Sequence, residues 1–264
     1  CRVDYTRFKN FVINDVSPVA KIGFFYVMRC LNHSATTPFI VLDGVGIGNV
    51  YRDTTDSIVG CFVSGGSSTY AYVVNSVIHN LASGSNKNCY GFWGNNIIFC
   101  NCVAERLSCA STTSTVCGFR NYTNTYAYNC YAGNIIPGSS TKGYGFYNCS
   151  GDYNASSDDT APGSHSLTYV DPDDQFVDTT VGSFNAHLKE TSVLIDAGTD
   201  LSSYGFDYDI DGDTRPQGDA WDIGADEYLE AVSISSSSSL SSSLSSTSSL
   251  SSSLSSTSSL SSSL

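Results

Sequence analysis

The sequence predicts an all-β protein, a right-handed parallel β-helix, on three observations. Gly-Phe recurs at intervals of 27 residues, as Gly91-Phe92, Gly118-Phe119 and Gly145-Phe146. Asn-Cys recurs downstream, as Asn101-Cys102, Asn129-Cys130 and Asn148-Cys149. Apolar runs of strand length, such as Ile58-Val59-Gly60-Cys61-Phe62-Val63 and Ile97-Ile98-Phe99, alternate with Gly, Asn, Ser and Thr clusters that supply turns. A unit of this length cannot bury an apolar face alone, so coil must stack on coil around a shared core. A β-sandwich would place turn signals more often and would not keep like residues at like positions over one long period.

Residues 1–170 are assigned to the coils. Asn75-Ser76 carries the Asn-Cys position back by one coil, and Gly23-Phe24 followed by Arg29-Cys30 repeats the same order, so five coils can be traced. Equivalent residues of stacked coils lie about 4.8 Å apart, so Asn can ladder on Asn and Phe can stack on Phe. The ten cysteines all fall between Cys1 and Cys149 without a CxxC pair. Zinc sites usually show such pairs. An even count allows disulfides in an exported protein, but recurrence beside Asn favours buried thiols in an interior stack.

Residues 171–230 are assigned to an acidic cap. From Ser150 to Glu230 there are 19 acidic residues against only Lys189 and Arg215. With a net charge of −13 and no basic cluster, nucleic acid and anionic membranes are excluded as expected partners. No stretch reaches the roughly 18 apolar residues of a membrane span. The chain begins without Met, has no apolar leader and stops inside a repeat, so it reads as a piece of a longer product with its export signal upstream. The expected location is extracellular, at a cell surface or in a virion.

Residues 231–264 are almost pure Ser, with Leu at 240, 244, 250, 254, 260 and 264. The even gaps would place every Leu on one face of an extended strand. Such a tract buries too little to fix its backbone, and the expectation is a low-complexity stalk.

For chemistry, Asp207, Asp209, Asp211 and Asp213 alternate around Gly212, like the opening of a calcium loop. The twelfth position would be Gly218 instead of Glu, and no flanking helices are evident. No cofactor is required by this reading, and Ca²⁺ is the ion these carboxylates would hold. Asp158-Asp159 and Asp173-Asp174 are candidate catalytic pairs in a glycosidase reading, but both sit among turn residues. His33, His79, His165 and His187 show no HExxH or regular spacing. No residue is assigned a catalytic role. Gly44, Gly46 and Gly48 lack dinucleotide spacing and are assigned to a coil corner.

Tyr90, Trp93, Tyr122, Tyr126, Tyr131, Tyr144 and Tyr147 recur coil by coil and form a candidate glycan-binding strip, since flat rings stack on sugar faces. Ladder packing in the core is the competing reading.

Three motifs close the folded part: Ser192-Val-Leu-Ile-Asp196-Ala-Gly198, Asp209-Ile-Asp211-Gly212-Asp213-Thr-Arg215-Pro216 and Trp221-Asp222-Ile-Gly-Ala-Asp-Glu227. In this order they resemble the C-terminal signature of parallel β-helix proteins of the choice-of-anchor Q type, which are frequent in bacterial surface and virion proteins. The resemblance spans roughly residues 91–228. It implies structural roles for these positions, covering the open end of the helix, and it implies display or adhesion to extracellular polysaccharide. The leading expectation is a non-enzymatic attachment or fibre protein. A polysaccharide lyase or hydrolase on the same fold is the alternative. A filament subunit assembled through the Ser/Leu tract is a third, and a homo-oligomer, trimer or filament, is the expected assembly.

Overall fold

The structure is a computed structural model that describes residues 6–14, 24–31, 40–52, 57–65, 70–84, 87–110, 113–139 and 142–230. Cys1, His33 and the stalk fall outside the described residues. Thirteen strands make one sheet. In chain order they are β1 (Thr6–Asn14), β2 (Phe24–Leu31), β3 (Ile40–Arg52), β4 (Ser57–Ser64), β5 (Ala71–Val74), β6 (Val77–Ser83), β7 (Cys89–Cys100), β8 (Val103–Cys109), β9 (Thr115–Tyr128), β10 (Tyr131–Ile136), β11 (Lys142–Tyr147), β12 (Ser150–Asp152) and β13 (Ala155–Ser156). Every pairing among them is parallel, each with the strand one coil away, and together they wind a β-solenoid of about four turns. A fifth coil tapers, its last strands shrinking to three and two residues.

The solenoid has three faces. The first stacks β2, β4, residues 89–95 of β7, residues 116–121 of β9, and β11. The second stacks residues 40–43 of β3, β5, residues 97–100 of β7, residues 125–128 of β9, and β12. The third stacks residues 46–52 of β3 with β6, β8, β10 and β13.

Register explains the repeat. Phe92, Phe119 and Phe146 stack inside the coil with ring centroids 4.9 and 4.8 Å apart and planes 10° and 8° from parallel. Burying each ring contributes about 1.5–3 kcal/mol. Gly91 and Gly118 lie against the carbonyl of the next coil, and Gly145 against the side chains of Ser156, Asp158 and Thr160. A Cβ at Gly91 or Gly118 would stand 2.7 Å from the oxygen of Gly118 or Gly145, so only glycine lets the coils close to strand spacing.

The asparagines form the corners. Asn75, Asn101 and Asn129 occupy one register position between the second and third faces, with φ of 46°, 52° and 52°. Gly44 holds the same corner one coil earlier at φ 64°. Asn tolerates this left-handed backbone better than other side chains. The residue after each Asn turns inward and donates to the carbonyl two positions back, Ser76 Oγ to Val74 at 2.7 Å, Cys102 Sγ to Cys100 at 3.2 Å and Cys130 Sγ to Tyr128 at 3.3 Å. The carbonyls of Cys100 and Tyr128 also accept the N–H of the corner Asn one coil earlier, Asn75 and Asn101 at 3.1 Å, so each thiol adds a second bond at the bend. Cys61, Cys89, Cys100, Cys102, Cys109, Cys117 and Cys130 are buried free thiols, and Cys149 is a partly buried one.

Two register expectations are corrected. Asn148-Cys149 belongs to the corner between the first and second faces, in step with Asn124, because Ser150 pairs with Tyr126. The fifth coil is short there, which is why sequence spacing misplaces it. Gly23-Phe24 and Arg29-Cys30 are also out of step, since Phe25 pairs with Ile58 and Arg29 with Phe62. Their apparent order does not survive the pairing.

The free edge of the last coil and the flank of the coils are held by different parts of the chain. The edge is held by the loop after β13: Asp158 Oδ2 accepts from Gly145 N–H at 2.7 Å and Thr160 Oγ1 from Phe146 N–H at 2.9 Å. These side chains satisfy the free edge of β11, a row of donors that would otherwise invite another strand. The later residues, with the short α1 (Pro172–Gln175) and the antiparallel pair β14 (Phe176–Asp178) and β15 (Asn185–Leu188), run along the flank instead. Phe176, Leu188, Leu194, Ile223 and Ala225 pack on Val77, Val103, Tyr131 and Ala155 of the third face. Leu201, Phe206 and Trp221 pack on Val41, Val74, Ile98 and Cys100 of the second.

The three C-terminal motifs lock this strap through one buried polar knot. Arg215, 6% exposed, donates to Glu227 Oε2 at 2.6 Å and to the carbonyl of Gly224 at 3.1 Å. Asp222 accepts from the N–H groups of Asp196 and Tyr228, and Asp196 from that of Ala220.

Candidate functional site

The first face differs from the other two in what lies on it. Its outward positions form two files, Val59, Tyr90, Cys117 and Tyr144 in one, and Phe62, Trp93, Arg120 and Tyr147 in the other. The apolar cluster there draws only on these strands, with no described residue of the strap joining it. The side chains cover one another. Phe62 meets Trp93 edge-on at 5.0 Å, Tyr90 meets Trp93 at 5.6 Å, and Tyr144 meets Tyr147 at 4.9 Å.

Arg120 lies among the rings. Its guanidinium carbon is 4.3 Å from the centre of Tyr90, 5.3 Å from Trp93 and 5.7 Å from Tyr147. Cation–π attraction of this kind is worth about 0.5–2 kcal/mol according to desolvation. Partial burial lowers its pKa, partly offset by Tyr147, yet a guanidinium keeps its proton. Its Nε is buried without a hydrogen-bond partner. Among the described residues no carboxylate lies within ion-pair distance of it, whereas Arg106 pairs with Glu105 and Arg215 with Glu227.

The expected aromatic strip is divided by the fold. Tyr144 and Tyr147 stay partly exposed on the first face, and Tyr122 projects at its edge, 69% exposed, with its ring 6.3 Å from Trp93. Trp93 is 9% exposed and Tyr90 1%, lying beneath Arg120. Tyr126 belongs to the second face, where it meets Tyr70 at 5.8 Å. Tyr131 is fully buried under the strap, against Phe176, with its hydroxyl donating to the carbonyl of Val170.

The carboxylates have equally definite places. Asp209 is buried; its Oδ1 accepts from the N–H groups of Asp211, Gly212 and Asp213, and its Oδ2 from Glu227. It closes a hairpin whose rungs include Tyr208 and Thr214. Asp207 and Asp211 are exposed, and Asp213 is partly so. Asp158 holds the edge of β11, Asp159 is exposed, Asp173 receives the Thr179 hydroxyl and Asp174 lies in the exposed first turn of α1.

A second concave region lies between the third face and the strap, a cleft of about 380 Å³ lined by His79, Val77, Phe184, His187, Ile210 and Asp211 among others. His187 Nδ1 is held by Asn185 Oδ1, and its Nε2 lies 2.6 Å from Asp211 and 4.0 Å from Asp226. One ligand atom from each of these three residues falls within 4.8 Å of the others, a set that could hold a divalent cation. Burial opposes the imidazolium of His187, but Asp211 and Asp226 outweigh it and raise its pKa. Burial pushes Asp226 up to about 6. Burial lowers the pKa of His79. The other described histidine, His165, contacts Asp152 and Ser164 through the same Nδ1, so it cannot relay between them.

Arg120 and the His187 grouping escape sequence reading. Arg120 stands alone between Phe119 and Asn121, and only its register over Trp93 shows that it faces outward among rings. His187, Asp211 and Asp226 come from three separate segments.

Searches against protein-family models, curated proteins and solved structures return no match to this chain.

Proposed function

We propose that this protein attaches to surfaces by binding polysaccharide along its first face, as an exported protein of the kind the choice-of-anchor Q resemblance implies. The observation that carries the reading is the contrast in cover. The strap packs on the outward apolar residues of the third face and on part of the second, where Tyr70, Tyr72, Tyr126 and Tyr128 stay partly exposed, whereas no described strap residue joins the first-face cluster around Trp93, with Tyr122, Tyr144 and Tyr147 at its surface. Aromatic rings with a wet polar edge suit the apolar faces of sugars. Trp93, Arg120 and Tyr147 follow one another coil by coil, so rings and a cation line the stacking direction, which suits an extended polymer.

The test is binding of the full chain to a polysaccharide panel, with the double variant Tyr122→Ala/Tyr147→Ala beside it. The expected result is binding by the native chain and at least a tenfold loss in the variant. Failure of the native chain to bind any member overturns the reading.

A second reading, cleavage of a polysaccharide, is favoured by the His187, Asp211 and Asp226 grouping beside a cleft. Incubation with the same panel, read by reducing ends and unsaturated-uronate absorbance, separates it from attachment. Product formation abolished by His187→Gln would replace the attachment reading.

A further inference from the structure

The ligand of the first face is anionic. Resting on the attachment reading above, we infer that Arg120 receives the acid groups of a carboxylated or sulfated polysaccharide while the surrounding rings hold its sugar faces.

The argument begins with charge placement. The chain carries a net charge of −13, yet the strands of the first face contain no Asp or Glu. They contain Arg29, Arg120 and Lys142. Arg29 pairs in register with Phe62, one coil before it. A cationic face on an acidic protein is selective by sign, because a polyanion is repelled from the acidic strap and drawn to this side.

Arg120 is the specific element. Arg106 and Arg215 each lie beside a carboxylate, whereas among the described residues none pairs with Arg120, whose Nε is buried without a hydrogen-bond partner. The rings attract the guanidinium, but partial burial strips water from a charge that no described carboxylate compensates, and an arriving carboxylate or sulfate relieves this with charge-assisted hydrogen bonds. The rings on which Arg120 lies fix its direction before the ligand arrives. An unpaired charge also disfavours neutral polymers, since covering it without an acid group removes its water and returns nothing.

The test uses matched polymers: dextran with carboxymethyl-dextran and dextran sulfate, and galactan with polygalacturonate. The full chain is expected to bind at least one acidic member ten times more tightly than its neutral counterpart, with affinity falling as salt rises. The carboxylated and sulfated arms identify which acid group is taken. Arg120→Gln is expected to erase the preference, and Arg120→Lys to keep part of it, with circular dichroism confirming that both fold. Equal binding of neutral and acidic partners overturns the inference and leaves the attachment reading standing, as does a preference unchanged in Arg120→Gln. Binding to no polymer in either series overturns both.

Discussion

The first and third faces are built on the same coils, in the same parallel register, yet one is sealed and the other is not. On the third face the outward file reads Val77, Val103, Tyr131 and Ala155, and strap residues bury it. On the first it reads Phe62, Trp93, Arg120 and Tyr147, and the residues bury one another. The interior ladder therefore decides how the protein stands, and the outward files decide where another molecule can lie. A solenoid separates these roles because alternate residues of a strand face opposite sides.

The comparison can be broken most severely at the strap. Glu227→Ala leaves Arg215 buried without its carboxylate, and losing one partner of a buried pair costs about 3–5 kcal/mol. Urea unfolding should show a loss of that size, with hydrophobic dye binding as the second and third faces are uncovered. If the variant keeps native stability and binds no dye, the knot does not hold the strap. Phe119→Ala tests the interior, removing the middle ring of the stack at a cost of about 3–5 kcal/mol. Its loss should appear in stability without being specific to either face.

The third face also carries a titration that the first lacks. Glu105 is 1% exposed, and burial pushes its carboxyl up to about 7, despite a hydrogen bond from Asn134 and the nearby Arg106. An unfolded Glu releases its proton near pH 4.3, so between about 4.3 and 7 the folded chain holds a proton that the unfolded chain has lost. Stability from this group is greatest below that window and declines as pH rises through it. Glu105→Gln should remove the decline and stabilise the protein at pH 8 by roughly 1–3 kcal/mol relative to wild type. Parallel melting curves at pH 4 and pH 8 check it. A wild-type-minus-variant difference that does not change between the two values would show that Glu105 does not titrate in this way.

Sequence spacing reveals what repeats and little else. Gly118 and Phe119 are legible because each stacks on its own kind one period away, and Asn101 and Asn129 because a left-handed corner recurs. Asn148 is misread because the last coil is shorter, so spacing no longer tracks register. The strap is invisible from periodicity, since its contacts join residues far apart, such as Asn129 with Thr199 and Asn75 with the carbonyl of Tyr208. The three C-terminal motifs mark residues that are mutual partners in the structure, yet they do not show that the segment lies along the flank. Outward alternation points Tyr90 away from the core, but only the position of Arg120 explains why it is covered.

The smallest effect on stability should accompany a large effect on binding, and Tyr122 is the place to look. It is 69% exposed at the rim of the first face and has few contacts beyond the edge of Trp93, so Tyr122→Ala should change unfolding free energy by no more than about 0.5 kcal/mol. If the face holds sugar, the same substitution removes an exposed stacking surface worth about 0.5–1.5 kcal/mol, a loss of roughly two- to tenfold in affinity. Tyr131→Phe on the sealed face gives the opposite pattern. It removes a buried hydroxyl bonded to Val170, destabilises by about 1 kcal/mol and leaves polysaccharide affinity unchanged. Measuring both variants for unfolding and for binding separates the two faces directly. Equal loss of affinity in the two would mean that binding depends on the fold as a whole instead of on the uncovered side.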